Sequence, residues 1–84
     1  MIRFKLKELI SKKEFYDGKR ITRKQIAEVT GINRMTLTKI NTKIGYSTST
    51  DTLNKLCNFF NCEISDLVEY ISDEQFQKMV DKEG

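Results

Sequence analysis

The chain has 84 residues, enough for one small hydrophobic core but not for a second folded module. This size excludes most enzymes that hold a cofactor and a substrate in separate domains. The sequence contains no His, Trp or Pro, and its 15 Lys and Arg exceed its 12 Asp and Glu by three. Without His, the only nucleophile candidates are two cysteines that lack an evident neighbouring base. We therefore predict that the protein is not an enzyme and works by binding alone.

The small net charge conceals a strong charge gradient. Residues 1–45 contain twelve basic and four acidic side chains, a balance of +8. Residues 46–84 contain three basic and eight acidic side chains, a balance of −5. This asymmetry predicts an anionic partner for the first half only, either nucleic acid or a membrane surface.

The sequence also indicates the compartment and the metal content. No run approaches the roughly 18 apolar residues of a membrane span, and Met1 leads into charged sequence rather than a signal peptide, so a cytoplasmic protein with no membrane role is predicted. Cys57 and Cys62 are read as thiols in a reducing compartment, Cys57 in the core and Cys62 partly buried, with redox sensing as the alternative. Two thiols without His do not complete a zinc site, so neither a metal nor a cofactor is expected.

The first half of the chain predicts three helices. The first helix ends near Asp17-Gly18. Its apolar stripe is formed by Phe4, Leu6, Leu9 and Ile10. A capping box of Thr22 and Gln25 begins the second, which runs to about Thr30 with Ile26, Ala27 and Val29 as its apolar positions. Gly31 then turns the chain, and Asn33 is a good N-cap for a third helix that ends near Asn41.

Two short helices around a glycine turn are typical of a helix-turn-helix, whose second helix enters the major groove of DNA. Leu37 and Ile40 are the inward positions of that second helix. Its outer face is left to Arg34, Met35, Thr38 and Lys39.

The second half of the chain also predicts helices. The fourth has the strongest stripe, closed by Asn61 and formed by Leu53, Leu56, Cys57 and Phe60. The fifth starts at Ser65 and buries Leu67, Val68 and Ile71, while Asp66 and Glu69 lie on its solvated side and keep it off DNA. A capping box at residues 72–75 precedes a further apolar stripe, formed by Phe76, Met79 and Val80. We predict that this stripe docks either on the core of its own chain or on a second subunit.

The run from Gln25 to Ile40, QIAEVTGINRMTLTKI, closely resembles the helix-turn-helix of the Xre family, regulators related to the lambdoid Cro and repressor proteins. Residues 51–57, 60–62 and 66–70 resemble the fourth and fifth helices of its small single-domain members. The resemblance implies an all-α fold, a compact five-helix Cro/repressor-like domain over residues 1–71. Residues 72–84 are then a C-terminal tail that either forms a short sixth helix for dimerisation or frays.

The resemblance also implies which residues contact DNA. It places five residues at or near base edges: Asn33, Arg34, Met35, Thr38 and Lys39. It places Arg23 and Lys43 at the phosphates, and we add Gln25, Ser47 and Thr48 to that group. The segments at residues 17–21 and 41–50 depart from the usual connections of the family. They leave open which of six side chains in them reach DNA: Lys19, Arg20, Tyr46, Ser47, Thr48 and Ser49.

The chemistry of these side chains suggests distinct roles. Arg34 can form a bidentate pair with guanine O6 and N7, and Lys39 can reach the same acceptors or a phosphate. Met35 and Thr38 can contact a thymine methyl group. We therefore predict a double-stranded DNA-binding transcriptional regulator, a repressor that binds a pseudo-palindromic operator as a homodimer. The alternative is an antitoxin-like protein, whose acidic half binds a basic protein partner while the helix-turn-helix supplies autoregulation.

Overall fold

The predicted helical architecture is confirmed, and a small sheet is added to it. The computed structural model describes the backbone from Met1 to Glu83 and the side chains from Met1 to Val80. In chain order the elements are β1 (Ile2–Phe4), α1 (Leu6–Asp17), α2 (Arg23–Thr30), α3 (Arg34–Thr42), α4 (Thr50–Phe60), α5 (Ile64–Leu67), β2 (Val68–Tyr70) and α6 (Asp73–Glu83).

The sheet joins the beginning of the chain to the segment after α5. β1 and β2 pair in antiparallel register, with Arg3 opposite Glu69. Hydrogen bonds extend the pairing at both ends, since the Lys5 amide donates to the Leu67 carbonyl at 2.7 Å and the Ile71 amide donates to the Met1 carbonyl at 2.8 Å. The sheet therefore fixes the start of α1 beside the end of α5.

An ion-pair cluster lies across the two strands. The Arg3 guanidinium contacts the Glu69 carboxylate on the opposite strand and the Glu8 carboxylate of α1, the latter at 3.1 Å. The hydrogen bond from Arg3 lowers the pKa of the Glu69 carboxyl and raises the pKa of the guanidinium. All three side chains are partly or largely exposed, so the cluster adds little to stability and chiefly favours the strand register.

The sheet corrects two sequence predictions. Phe4 belongs to β1 rather than to the first helix, although it is buried as expected. The predicted fifth helix is limited to Ile64–Leu67, so Val68 and Glu69 lie in a strand rather than on a helix. β-branched and aromatic residues favour a strand in Val68–Tyr70, and β1 supplies the hydrogen-bond partner that makes this conformation stable. A four-residue helix has too few internal hydrogen bonds to compete with that pairing.

One core joins the helix-turn-helix to the surrounding helices. Its buried members are Phe4, Leu6, Leu9, Ile26, Ile32, Leu37, Ile40, Leu56 and Leu67. Leu53, Cys57 and Phe60 of the predicted fourth-helix stripe pack against this cluster while remaining partly exposed. Val29 is a further correction, because its side chain is 73% exposed rather than inward. Val29 lies in the last turn of α2, three positions after Ile26, where no other element of the described chain covers most of its side chain; Thr30, four positions after Ile26, is half-buried instead.

The predicted helix caps that frame α2 and α3 are all present. The Thr22 hydroxyl accepts the Gln25 amide at 3.2 Å, and the Gln25 side chain accepts the Thr22 amide at 2.9 Å. Gly31 ends α2 with φ of 77°, and the Asn33 side chain caps α3. The local sequence thus determines both the ends of these helices and the short turn between them.

We expect Thr22→Ala to lower the free energy of unfolding by about 1 kcal/mol. The backbone amide of Gln25 loses the hydroxyl that accepts its hydrogen bond, and the reciprocal bond from the Thr22 amide to the Gln25 side chain is left without its partner in the capping box. Chemical denaturation of the purified protein measures this change. Thr22→Ser retains the hydroxyl and is the matched control, expected to remain within about 0.5 kcal/mol of the parent. Equal losses in the two variants would contradict the capping role.

Candidate nucleic-acid interface

The turn between α2 and α3 is held by one threonine as well as by glycine. The Thr30 hydroxyl donates to the Ile26 carbonyl at 2.6 Å and accepts the Ile32 amide at 3.2 Å. A side chain at Gly31 would meet no atom within 4 Å, so its left-handed backbone, rather than close packing, is the reason for glycine there. These contacts fix the direction in which α3 leaves α2.

The third helix has two distinct faces. Leu37 is fully buried and Ile40 is 2% exposed, so both hold α3 against the core. Arg34 and Thr38 are exposed on the other side, and the Met35 side chain is 64% exposed. The structure therefore brings these three predicted base-contacting residues onto one accessible surface, with Lys39 half-buried at its edge.

Hydrogen bonds within the domain determine which donors and acceptors of this surface remain available to DNA. The Asn33 side-chain oxygen accepts the Met35 amide at 2.7 Å, which leaves its amide nitrogen free to donate. The Thr38 hydroxyl donates to the Arg34 carbonyl at 3.1 Å, so the predicted contact with thymine is left to its methyl group. The Gln25 oxygen is used in the capping box, and its side-chain amine remains as a donor.

The cations of the surface are available to an anionic ligand. Among the described side chains of residues 1–80, the ion pairs of basic residues are made by Arg3, Lys13 and Lys55. Four predicted DNA contacts take no part in them: Arg23, Arg34, Lys39 and Lys43. Arg23 is exposed at the first position of α2, and Lys43 is exposed directly after α3. Cations left unpaired at the two ends of the helix-turn-helix suit phosphates on either side of a groove.

The two irregular segments carry the remaining candidates. Ser47 is exposed and Thr48 half-buried, and both precede Ser49, whose hydroxyl caps α4 through the Thr52 amide. In the turn before α2, Lys19 and Arg20 are both exposed. Tyr46 is half-buried and packs against the core. Contact between DNA and each of the six open side chains stays a prediction.

One basic side chain beside the candidate DNA surface was not singled out from the sequence. Lys24 lines a shallow depression between α2 and the start of α3 together with Ala27, Glu28, Asn33 and Arg34. The helical spacing of Lys24 and Glu28 was readable, but it does not reveal that their face turns toward the start of α3. That direction depends on the crossing of the two helices, which tertiary packing sets.

This arrangement defines a helix-turn-helix DNA-binding domain. A sequence model of the Cro/C1-type HTH DNA-binding domain family matches residues 5–73, and the chain belongs to that family. No curated protein and no solved structure matched the chain. The predicted resemblance to the Cro and repressor proteins is confirmed, and double-stranded DNA is the ligand that this family binds.

The structure adds one observation on membranes. Between residues 1 and 83, no helix combines the length and the apolar character that crossing a bilayer requires.

The two cysteines lie together where α4 ends. The Cys62 amide donates to the Cys57 carbonyl at 3.0 Å, and both side chains are half-buried. Burial first, then the neighbouring Cys57 thiol and the Asp66 carboxylate, raise the pKa of Cys62 to about 11. Among the described residues, no three Cys, His, Asp or Glu side chains converge in a way that could hold a metal ion.

We expect alkylation of Cys62 by iodoacetamide at pH 8 to be roughly tenfold slower in the folded protein than in urea. Raising the pKa from 9.0 to about 11 lowers the thiolate fraction about a hundredfold, and the greater nucleophilicity of a more basic thiolate restores part of the rate. Mass mapping of the labelled peptide measures the reaction, which should keep accelerating until about pH 11 in the folded protein. A plateau near pH 9, as in urea, would show that burial does not perturb this thiol.

Proposed function

We propose that the protein is a sequence-specific transcriptional regulator, acting as a repressor that inserts α3 into the major groove of an operator. The observation that carries this proposal is the division of α3 into a buried side and an exposed side bearing Arg34, Met35 and Thr38. Base edges in the major groove offer the acceptors and methyl groups that such side chains recognise. We further propose that the protein acts in the cytoplasm, where operator DNA is accessible.

The proposed active form is a homodimer. Two copies related by a two-fold axis would place their α3 helices in successive major grooves, about 34 Å apart, on a pseudo-palindromic site. Residues 72–84 are proposed to serve as the dimerising tail. Bound to an operator, such a dimer would exclude polymerase from an overlapping promoter, and no chemical reaction would be involved.

Selection from random duplexes tests the proposal directly. The expected product is an enriched sequence with two inverted half-sites, whose centres are one helical turn apart. Titration of that duplex should give two chains per site, and transcription from a promoter overlapping it should fall when the protein is added. Failure to enrich any sequence over the starting pool would overturn sequence-specific recognition, and increased transcription would overturn repression.

The antitoxin-like function is the second candidate. It is favoured by the acidic composition of α6, which also presents the exposed apolar residues Met79 and Val80. In that case a basic protein partner would cover α6, and DNA binding would regulate expression of the pair. Gel filtration of the endogenous complex distinguishes the two, because a stoichiometric second protein supports the antitoxin and a homodimer alone contradicts it.

A further inference from the structure

The most exposed aromatic side chains of the molecule lie together at the end of α1. Phe15 is 85% exposed and Tyr16 is 82% exposed. Their rings contact each other edge to face, with centroids 6.1 Å apart. Neither residue belongs to the predicted DNA surface, and adjacent large aromatic groups left in water commonly mark an interaction site. We call Lys12, Phe15 and Tyr16 the aromatic patch.

The aromatic patch combines apolar surface with an available cation. Lys12 precedes Phe15 by three positions and Tyr16 by four, which puts the three side chains on neighbouring positions of one helix surface. Lys12 makes no ion pair within the part of the chain that the structure describes, whereas the next residue, Lys13, is paired with Asp17 at 3.3 Å. The partner that suits this surface is therefore apolar and carries a carboxylate.

Self-contact of the aromatic patch is disfavoured by the same charge. Two copies meeting patch to patch would bring their Lys12 side chains together, and the exposed Lys19 and Arg20 of the following turn would add further repulsion. The occupant must therefore differ from the patch itself.

The last helix of the chain has the complementary properties. α6 contains four acidic and two basic residues. Asp73, Phe76 and Val80 follow one another at spacings of three and four, so a carboxylate precedes apolar side chains on one face, as Lys12 precedes the aromatic pair on α1. The charge differs in sign between the two helices while the apolar spacing is alike.

The apolar side chains in the middle of α6 are only partly covered by their own domain, with Phe76 half-buried and Met79 and Val80 exposed. Met79 is 41% exposed and Val80 is 48% exposed, and no side chain from residues 73–80 belongs to the core cluster. The helix is nevertheless well started, because the Ser72 hydroxyl accepts the Gln75 amide and the Gln75 side chain accepts the Ser72 amide, both at 3.2 Å. α6 is thus a formed, acidic helix whose apolar face leaves Met79 and Val80 exposed beside a half-buried Phe76.

We infer that the aromatic patch of one protomer binds α6 of a second copy, and that the exchange is reciprocal. Each protomer donates one helix and receives one, so a two-fold axis relates two equal contacts and the assembly closes as a dimer. Lys12 of one protomer faces Asp73 of the other, and Phe15 and Tyr16 pack on Phe76, Met79 and Val80. This inference rests on the proposed homodimer and names its interface.

Apolar truncation of each side tests the contact. Phe15→Ala with Tyr16→Ala defines the patch variant, and Met79→Ala with Val80→Ala defines the helix variant; all four residues are exposed, so the monomer should stay folded by circular dichroism. Sedimentation equilibrium of each full-length variant should give a dimer dissociation constant at least about 30-fold above the parent, as for truncation of central interface residues.

Mixing the two variants tests reciprocity. A heterodimer of the patch variant and the helix variant retains one intact contact of the two, so it should form more tightly than either variant alone and less tightly than the parent. A homotypic interface would show no such rescue. Absence of rescue would overturn the exchange.

Charge reversal tests the pairing of Lys12 with Asp73. Lys12→Glu and Asp73→Lys should each weaken the dimer by at least about fivefold, and the double variant should recover most of the loss. Lys7→Glu is the matched control, because Lys7 is also exposed on α1 but lies about 140° around the helix from Lys12. Equal weakening by Lys7→Glu, or no recovery in the double variant, would contradict the pairing.

The outcomes separate this inference from the proposal on which it rests. A parent dimer that survives in every variant leaves the homodimer intact and places its interface elsewhere. A parent protein that stays monomeric both free and on its operator overturns the dimer and the exchange together. A third outcome would assign the aromatic patch to DNA instead. In that case the patch variant would dimerise normally, but it would bind all duplexes more weakly and with a shallower salt dependence.

Discussion

Leu37→Ala is expected to lower the free energy of unfolding by about 2–5 kcal/mol, the largest effect on stability that we predict for a single substitution. Leu37 is fully buried in the same core cluster as Ile26 of α2 and Ile40 of α3. Removing its branched end leaves a cavity where the two helices of the helix-turn-helix meet. For a domain with a total stability of about 5–15 kcal/mol, the loss is a large fraction of the whole.

Met35→Ala is the matched control for this substitution. Met35 lies two positions away on the same helix, but its side chain is 64% exposed. Its truncation should change the free energy of unfolding by no more than about 0.5 kcal/mol. Urea denaturation followed by circular dichroism measures both variants. Similar losses for the two would mean that α3 does not have the buried and exposed sides described here.

Arg34→Ala is expected to remove the preference of the protein for one base pair of its operator, a loss of about 1–3 kcal/mol, or roughly 5- to 150-fold in relative affinity. Arg34 is exposed at the first position of α3 and has no ion-pair partner among the described side chains of residues 1–80. Its guanidinium is free to offer two parallel donors to guanine. Titration of the selected operator and of its single-base variants measures the change.

Two companion variants separate recognition from charge. Arg34→Lys keeps the positive charge without the planar pair of donors, so it should lose most of the base preference while retaining the salt dependence. Arg23→Ala removes a phosphate contact, so it should weaken binding to all duplexes alike and reduce the salt slope by about 1. If Arg34→Ala instead weakened all duplexes equally, Arg34 would be a phosphate contact and the placement of α3 in the groove would be wrong.

Local signals in the sequence were sufficient to predict the helix-turn-helix. The reciprocal hydrogen bonds of Thr22 and Gln25, the left-handed Gly31 and the Asn33 cap each involve residues only a few positions apart. The inward positions Leu37 and Ile40 followed from helical spacing and are buried in the structure. The base-contacting and phosphate-contacting roles stay predictions, because they depend on a ligand as well as on the chain.

The sheet was not predicted because its two strands are far apart in the sequence and pair only through a long-range contact. Each strand has three residues, too short for an alternating pattern to stand out from a helical one. The exposure of Val29 was missed for a related reason, and no burial was predicted for Phe15 and Tyr16. An apolar residue near the end of a helix is inward only if another element covers it, and tertiary packing decides that.

The pairing of β1 with β2 affects the order in which the elements of the domain fold. Arg3 and Glu69 are 66 positions apart, so their strands can meet only after the intervening chain has been ordered or its loop-closure entropy has been overcome. The compact α2–α3 unit depends on local contacts and can form before that. During synthesis, the contact between the start of α1 and the end of α5 therefore forms only after residues 68–70 have left the ribosome. Amide hydrogen exchange during refolding should show β1 acquiring protection after α2 and α3.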